Sequence, residues 1–194
     1  MKRLRIILAL IITANIFSMP AAHAYTIEQK REIIALYNAN KLQEAYQLVA
    51  KIPEEERDAE MWLLIANITQ DYNKELDSFF LLQKALEKDP KFFKAYYNLA
   101  NLYMNDNKLT KAIENYNLAI KYNKNFAYSY YNLGCCYLKL NDFRKARSYF
   151  VKAVQIKNTE PSFHYNLALV YKKLNNKKEA EKALNNYNKL LEVI

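Results

Sequence analysis

The sequence predicts an all-α fold in which helix-turn-helix units of 34 residues follow one another along the chain. Three observations carry this prediction. The 194-residue chain contains one glycine and four prolines, so residues that break helices are scarce. Columns of similar residues recur every 34 positions, which is the signature of a repeat architecture. Within each period the apolar residues follow the spacing of a helix face.

The 34-residue period is visible when the chain is compared with itself. Four columns share the step: Trp62, Tyr96, Tyr130 and His164; Ile65, Leu99, Leu133 and Leu167; Ala66, Ala100, Gly134 and Ala168; and Ser78, Ala112, Ala146 and Ala180. Several columns in one register indicate stacked structural units, each of which buries its apolar face against its neighbours.

Each unit contains two helices with complementary inner faces. One core face starts at Tyr130 with spacings i, i+3, i+4 and i+7, and a second starts at Ala146. Small residues at Gly134 and Ala146 let the two helices approach closely, while Tyr137 and Phe150 fill the space around that contact. We therefore assign the single glycine to close helix packing rather than to a turn or a ligand site.

The segment 130–150 has the pattern Tyr-x2-Leu-Gly-x2-Tyr followed by Ala-x3-Phe, and it resembles the tetratricopeptide repeat. The resemblance implies a right-handed α-solenoid that acts as an interaction scaffold for a protein or peptide partner. We expect four repeats, at residues 59–92, 93–126, 127–160 and 161–194. A degenerate helix pair at residues 25–58 is expected to cap them.

The first 24 residues have the pattern of an export signal. Residues 1–5 are basic, residues 6–17 are apolar, and Ala-His-Ala ending at Ala24 matches a small-x-small cleavage site. We expect an exported protein, periplasmic or secreted, with cleavage after Ala24. The alternative is an uncleaved membrane anchor, which the short apolar run and Pro20 disfavour.

The composition argues against an enzyme. Phosphate-binding loops need several glycines, and two histidines with two cysteines form no cluster that could bind a metal. We therefore expect no catalytic residue, cofactor or metal. A nucleic-acid partner is not expected either, despite the net charge of +9, because the chain carries an export signal.

The outer face of each first helix is expected to line a concave groove, as the family resemblance implies. The partner-binding residues predicted there are Tyr97, Tyr131 and Tyr165, Asn98, Asn132 and Asn166, and Asn101. The same face includes Lys94, Met104, Asn105, Tyr128, Cys135, Lys139, Ser162, Leu169 and Lys173. Asparagine amides could hydrogen-bond an extended peptide backbone, and tyrosines offer contact area. The alternative is that these columns serve packing, whatever the ligand.

The last repeat carries a basic face and an apolar edge. The basic residues are Lys172, Lys173, Lys177, Lys178 and Lys182. They would attract anionic lipid or polysaccharide, although Glu179 and Glu181 interrupt them and a solvated face is the alternative. The apolar residues are Ala183, Leu184, Leu190, Leu191 and Ile194. We expect this edge to pair with a second copy of the chain or with a partner.

Asparagine occupies the turn between the paired helices, where this family usually has glycine. We therefore expect a positive φ at Asn40, Asn73, Asn107, Asn141 and Asn175, because asparagine tolerates the left-handed conformation better than most residues.

Five further residues bear on the packing of the repeats. Cys135 and Cys136 point about 100° apart on a helix, so they are not expected to form a disulfide with each other. We expect Cys136 to be buried, and Cys135 to be either inert or reactive in the groove. His164 is expected in the core or at its edge. Thr69 and Ser78 replace an aromatic residue and an alanine, which predicts looser packing of the first repeat.

Overall fold

The computed structural model describes residues 26–71 and 75–192. All regular elements in these residues are helical, which confirms the all-α prediction. The chain divides into two compact units, residues 1–57 and residues 58–194. The predicted signal at residues 1–24 lies outside the described residues, as do Asn73 and Ile194.

The described part of the first unit contains one helix pair. Helix α1 (Ile27–Asn38) packs against α2 (Leu42–Ala50), and a single 3-10 turn (Glu54–Glu56) follows. The first helix begins with a capping box, in which the amide of Gln29 donates to Thr26 Oγ1. Ile33 is buried and faces this pair's core, so this small unit has its own apolar contact.

The described part of the second unit contains eight helices in four pairs. The helices are α3 (Ala59–Asp71) and α4 (Glu75–Lys88), α5 (Phe93–Asn105) and α6 (Leu109–Tyr122), α7 (Ala127–Lys139) and α8 (Phe143–Ile156), and α9 (Pro161–Lys173) and α10 (Lys177–Leu191). Partners within a pair pack along their lengths, and the second helix of each pair contacts the first helix of the next. This connectivity is that of a helical solenoid.

The turns inside the pairs use asparagine in the left-handed conformation. The value of φ is 58° at Asn40, 56° at Asn107, and 58° at Asn141 and Asn175, which confirms the prediction at these four positions. After α7, the amide of Asn141 donates to the carbonyl of Leu138 at 3.0 Å, and the next amide donates to Tyr137 at 2.9 Å. These two bonds satisfy the last carbonyls of the helix and turn the chain towards α8.

Gly134 lies where α7 and α8 approach most closely. A Cβ at this position would lie 2.7 Å and 2.8 Å from ring carbons of Phe150, which is closer than van der Waals contact allows. Gly134 does not have a positive φ. The glycine therefore serves close helix packing, as the sequence predicts.

The first repeat contains a buried polar pair at the positions that depart from the repeat pattern. Ser78 is fully buried, and its hydroxyl lies 2.9 Å from the hydroxyl of Thr69. Both hydroxyls also donate to the carbonyl of Ala66, at 3.1 Å and 2.8 Å. Both polar replacements therefore have a hydrogen-bond partner, and the looser packing of this repeat stays a prediction.

We predict that Asn141→Ala lowers the free energy of unfolding by about 1 kcal/mol, because alanine resists the left-handed conformation. Asn141→Gly should differ from the native chain by only a few tenths of a kcal/mol. Urea unfolding monitored by circular dichroism measures both. Asn117→Ala, at an exposed site inside α6, is the control and should stabilise the chain slightly. Equal effects of alanine at positions 141 and 117 would contradict the prediction.

Candidate functional site

The asparagine column joins the first helix of each repeat to the first helix of the repeat before it. Asn132 Nδ2 in α7 donates to Tyr97 Oη at 3.2 Å and to Asn101 Oδ1 at 2.9 Å, both in α5. Asn166 Nδ2 in α9 donates in the same way to Tyr131 Oη in α7, at 2.8 Å. We call this series of bonds the amide ladder. Five of the predicted site residues are thus brought into direct contact, within the array itself.

A second column provides acceptors for the amide ladder, and sequence reasoning identified only part of it. Asn98 Nδ2 donates to Asn67 Oδ1 at 2.7 Å, and Asn101 Oδ1 also accepts from Tyr116 Oη at 2.6 Å. At the equivalent place in the next repeat, the Cys135 Sγ lies 3.7 Å from an amide nitrogen of the ladder. Asn67 was missed, although the 34-residue step that links it to Asn101 and Cys135 could have found it.

The tyrosine column is mostly engaged in packing between repeats. Tyr97 meets Phe126 edge-on, with ring centroids 5.0 Å apart, and Tyr131 stacks on Phe163 at 4.6 Å. Burial raises the pKa of Tyr97 and raises that of Tyr131 to about 12. Tyr165 differs, because 50% of it is exposed. The last tyrosine of the column is therefore the one that most openly offers its ring to a ligand.

Several positions on the same face of the first helices remain open to solvent. They are Lys94, Asn105, Lys139, Ser162 and Lys173. Lys94 pairs with Glu60 of the preceding repeat, with 3.5 Å between Nζ and Oε1. The amide nitrogens of Asn98, Asn132 and Asn166 are used between repeats, and the oxygen of an amide group accepts hydrogen bonds independently of its nitrogen. The face can therefore offer acceptors and exposed edges to a bound segment.

The two cysteines are free thiols. Cys136 is fully buried, as predicted. Burial raises the pKa of Cys136 to about 12 and that of Cys135 to about 11. Both are therefore protonated at neutral pH, and a thiol reacts far more slowly than a thiolate. Of the two expectations for Cys135, this environment favours the inert one.

His164 is a core residue, as the sequence predicts. It is 4% exposed, and its Nε2 lies 2.8 Å from the carbonyl oxygen of Asn158. Among residues 26–71 and 75–192, no group of three or more histidine, cysteine or acidic residues is arranged to hold a metal ion. A membrane-spanning helix is likewise not found in that part of the chain.

Paired helices in a fixed register, turned by left-handed asparagines and joined along their first helices, define a helical solenoid of the interaction-scaffold class. The chain belongs to the tetratricopeptide-repeat family. Models described as tetratricopeptide repeat match residues 81–114, 127–159 and 161–190, and one described as TPR repeat matches residues 100–141. Such repeats generally bind protein partners, so this chain is a protein–protein interaction scaffold.

Solved structures of low sequence identity share the fold. The crystal structure of MamA superposes with a TM-score of 0.70 at 21% identity, over 87% of this chain and 96% of that one. MamA from Desulfovibrio magneticus RS-1 gives 0.70 at 17% identity, over 85% and 94% of the two chains. PilF of Pseudomonas aeruginosa gives 0.76 at 16% identity, over 84% and 74%. No curated protein sequence gives a significant match.

We predict that Asn132→Ala lowers the free energy of unfolding by about 2 kcal/mol, because it removes two hydrogen bonds worth about 1 kcal/mol each. Urea unfolding measures the change. Asn105→Ala removes an exposed amide at the end of α5 and is the control. A loss no larger than that of the control would show that the amide ladder contributes nothing to stability.

We predict that iodoacetamide alkylates the native cysteines at least about a hundredfold more slowly than the same residues in urea. With the pKa of Cys135 raised to about 11, about one thiol in a thousand is ionised at pH 8. The labelling rate should therefore rise steeply as the pH approaches 11. Mass spectrometry of timed samples gives the rates, and equal rates in native and unfolded protein would exclude this burial effect.

Proposed function

We propose that this chain is an exported, non-enzymatic scaffold that binds an extended segment of a partner protein along the outer face of its first helices. The amide ladder is the observation that carries the proposal. Its nitrogens join successive first helices, and the oxygens of Asn98, Asn132 and Asn166 would supply one acceptor in each of the last three repeats. A peptide backbone supplies N–H donors and can be bound by such a row without regard to its sequence.

Two features support binding by several repeats together. A single net hydrogen bond contributes only about 1 kcal/mol, so useful affinity requires several repeats to act at once. The predicted partner-binding residues Asn98, Asn132 and Asn166 belong to three successive first helices. Tyr165 adds an exposed aromatic ring at one end of the row, and such rings are frequent in binding hot spots.

The proposed compartment rests on the first 24 residues. A basic start, an apolar run and a small-x-small site are together typical of a cleaved export signal. We place the protein in the periplasm or in the secreted fraction, with a mature chain that begins at Tyr25.

We predict that the intact mass of the protein expressed with its own leader corresponds to a chain starting at Tyr25, and that the protein leaves the cytoplasm. Mass spectrometry after cell fractionation measures both. Replacing Ala22 and Ala24 by arginine should block processing, because the cleavage site requires small residues. A full-length chain starting at Met1 in the cytosolic fraction would exclude export.

We predict that a photo-crosslinking amino acid at Asn105 or at Ser162 captures the same partner. Both side chains are exposed on the predicted groove face of first helices. Ser148, exposed on the second helix α8, is the matched control and should give no adduct. Gel shifts and mass spectrometry identify the adducts. Identical adducts at all three positions, or none at Asn105 and Ser162, would contradict binding along the groove.

A second candidate function uses the basic face of the last repeat. Lys172, Lys173, Lys177, Lys178 and Lys182 are all exposed. None of these five is ion-paired to another residue that the structure describes, so their charge is available to anionic lipid or polysaccharide. Binding of this kind should weaken strongly in moderate salt, whereas capture in the groove should change little.

A further inference from the structure

The last repeat presents an apolar cavity of about 630 Å³ between α9 and α10. Its floor is made by Ala168, Leu169, Ala180 and Leu184, and Tyr165 stands at its edge. The volume lies within the range of about 300–1,000 Å³ that is usual for ligand sites. Leu184 is 43% exposed there, so this face of the repeat is open.

The same face is covered in the preceding repeat. The positions 34 residues before Ala180 and Leu184 are Ala146 and Phe150, and both are fully buried. Phe150 lies against Gly134 of α7 on one side, and α9 adds cover on the other, where Leu167 joins the same apolar cluster. The cavity is therefore the place where one more first helix would pack on the array.

The helices that fill the equivalent places show what this face binds. In α9, Phe163, Leu167 and Val170 are buried on the preceding repeat, and Asn166 donates to the hydroxyl of its tyrosine. Tyr165 is the corresponding tyrosine of the last repeat. Its hydroxyl receives no such bond from the residues that the structure describes. A fitting helix therefore has an apolar face and an amide that reaches Tyr165.

The charge around the cavity restricts the occupant further. Lys172, Lys177 and Glu181 line it, which gives the lining a net charge of +1, and the two lysines are exposed and unpaired with any carboxylate among the described residues. Acidic side chains beside the apolar face would complement them.

This chain's own first helices are not available as occupants. The column formed by Ile65, Leu99, Leu133 and Leu167 is buried at every repeat. A second copy would have to open its own array to supply one of these helices. A helix of a different protein would need no such opening, so it fits this face better than a second copy does.

We propose that the end face of the last repeat binds an amphipathic helix of a partner protein, which packs as a further first helix. Its apolar residues fill the cavity over Ala180 and Leu184, an amide donates to Tyr165, and acidic residues lie beside Lys172 and Lys177. This site shares Tyr165 with the proposed peptide groove but otherwise uses the stacking surface of the repeat.

The probe is a synthetic fluorescent helix that repeats the face of Phe163, Asn166, Leu167 and Val170, with glutamates at its outward positions. Fluorescence anisotropy should show binding to the native chain. Leu184→Asp should weaken it at least about tenfold, because it places a charge against the apolar face. Tyr165→Phe should weaken it about fivefold, the equivalent of one net hydrogen bond. A probe with lysines instead of glutamates should not bind.

Leu140→Asp is the matched control, because Leu140 is 50% exposed and lies outside the cavity. It should leave binding unchanged, and thermal melts should show that every variant folds. Equal binding of the probe to native chain and to Leu184→Asp would overturn the proposal. Two other results would also overturn it. One is a dimer, detected by sedimentation, that the Leu184→Asp substitution dissociates. The other is binding to phosphatidylserine vesicles that depends on Leu184 when the helical probe does not bind.

Discussion

The last three repeats depend on one interaction, the hydrogen bond from an asparagine amide of one first helix to the tyrosine hydroxyl of the first helix before it. The apolar contacts between repeats are strong but not directional, and they would tolerate small shifts of one pair along another. The contact at Tyr131 does not tolerate such shifts, because its Oη accepts a hydrogen bond from Asn166 Nδ2 at 2.8 Å and its ring stacks on Phe163 at 4.6 Å. The polar contact therefore sets the register that the apolar contacts stabilise.

This hydrogen bond changes the interpretation of the tyrosine and asparagine columns on the outer face of the first helices. Sequence reasoning treated Asn132 and Tyr131 as binding residues, with packing as the alternative. In the structure each of them holds neighbouring repeats together, so substituting either one disturbs the scaffold as well as any ligand. Binding and packing are coupled here, because the groups that fix the helix spacing also bring the acceptors of the face into a row.

Much of the fold could be predicted from the sequence, because a fixed period imposes the same packing at each repeat. The left-handed turns at Asn107, Asn141 and Asn175 were predicted from the same reasoning. The hydrogen bonds of the amide ladder could not be predicted, because a column of asparagines is equally consistent with side-chain amides that face solvent. The pair formed by Thr69 and Ser78 was also missed, since two deviations from a pattern look like defects when considered one at a time.

The last repeat shows how a repeat protein can acquire a second site without new residues. A terminal repeat that only protects the array replaces its stacking residues with polar ones. Here the stacking column has Leu82, Tyr116, Phe150 and then Leu184, and the acceptor column has Asn67, Asn101, Cys135 and then Leu169. The last member of each column is apolar, while the lysines around the cavity supply solubility. The contact surface that joins one repeat to the next is thus retained where the described array ends, in a form suited to a helix of opposite charge.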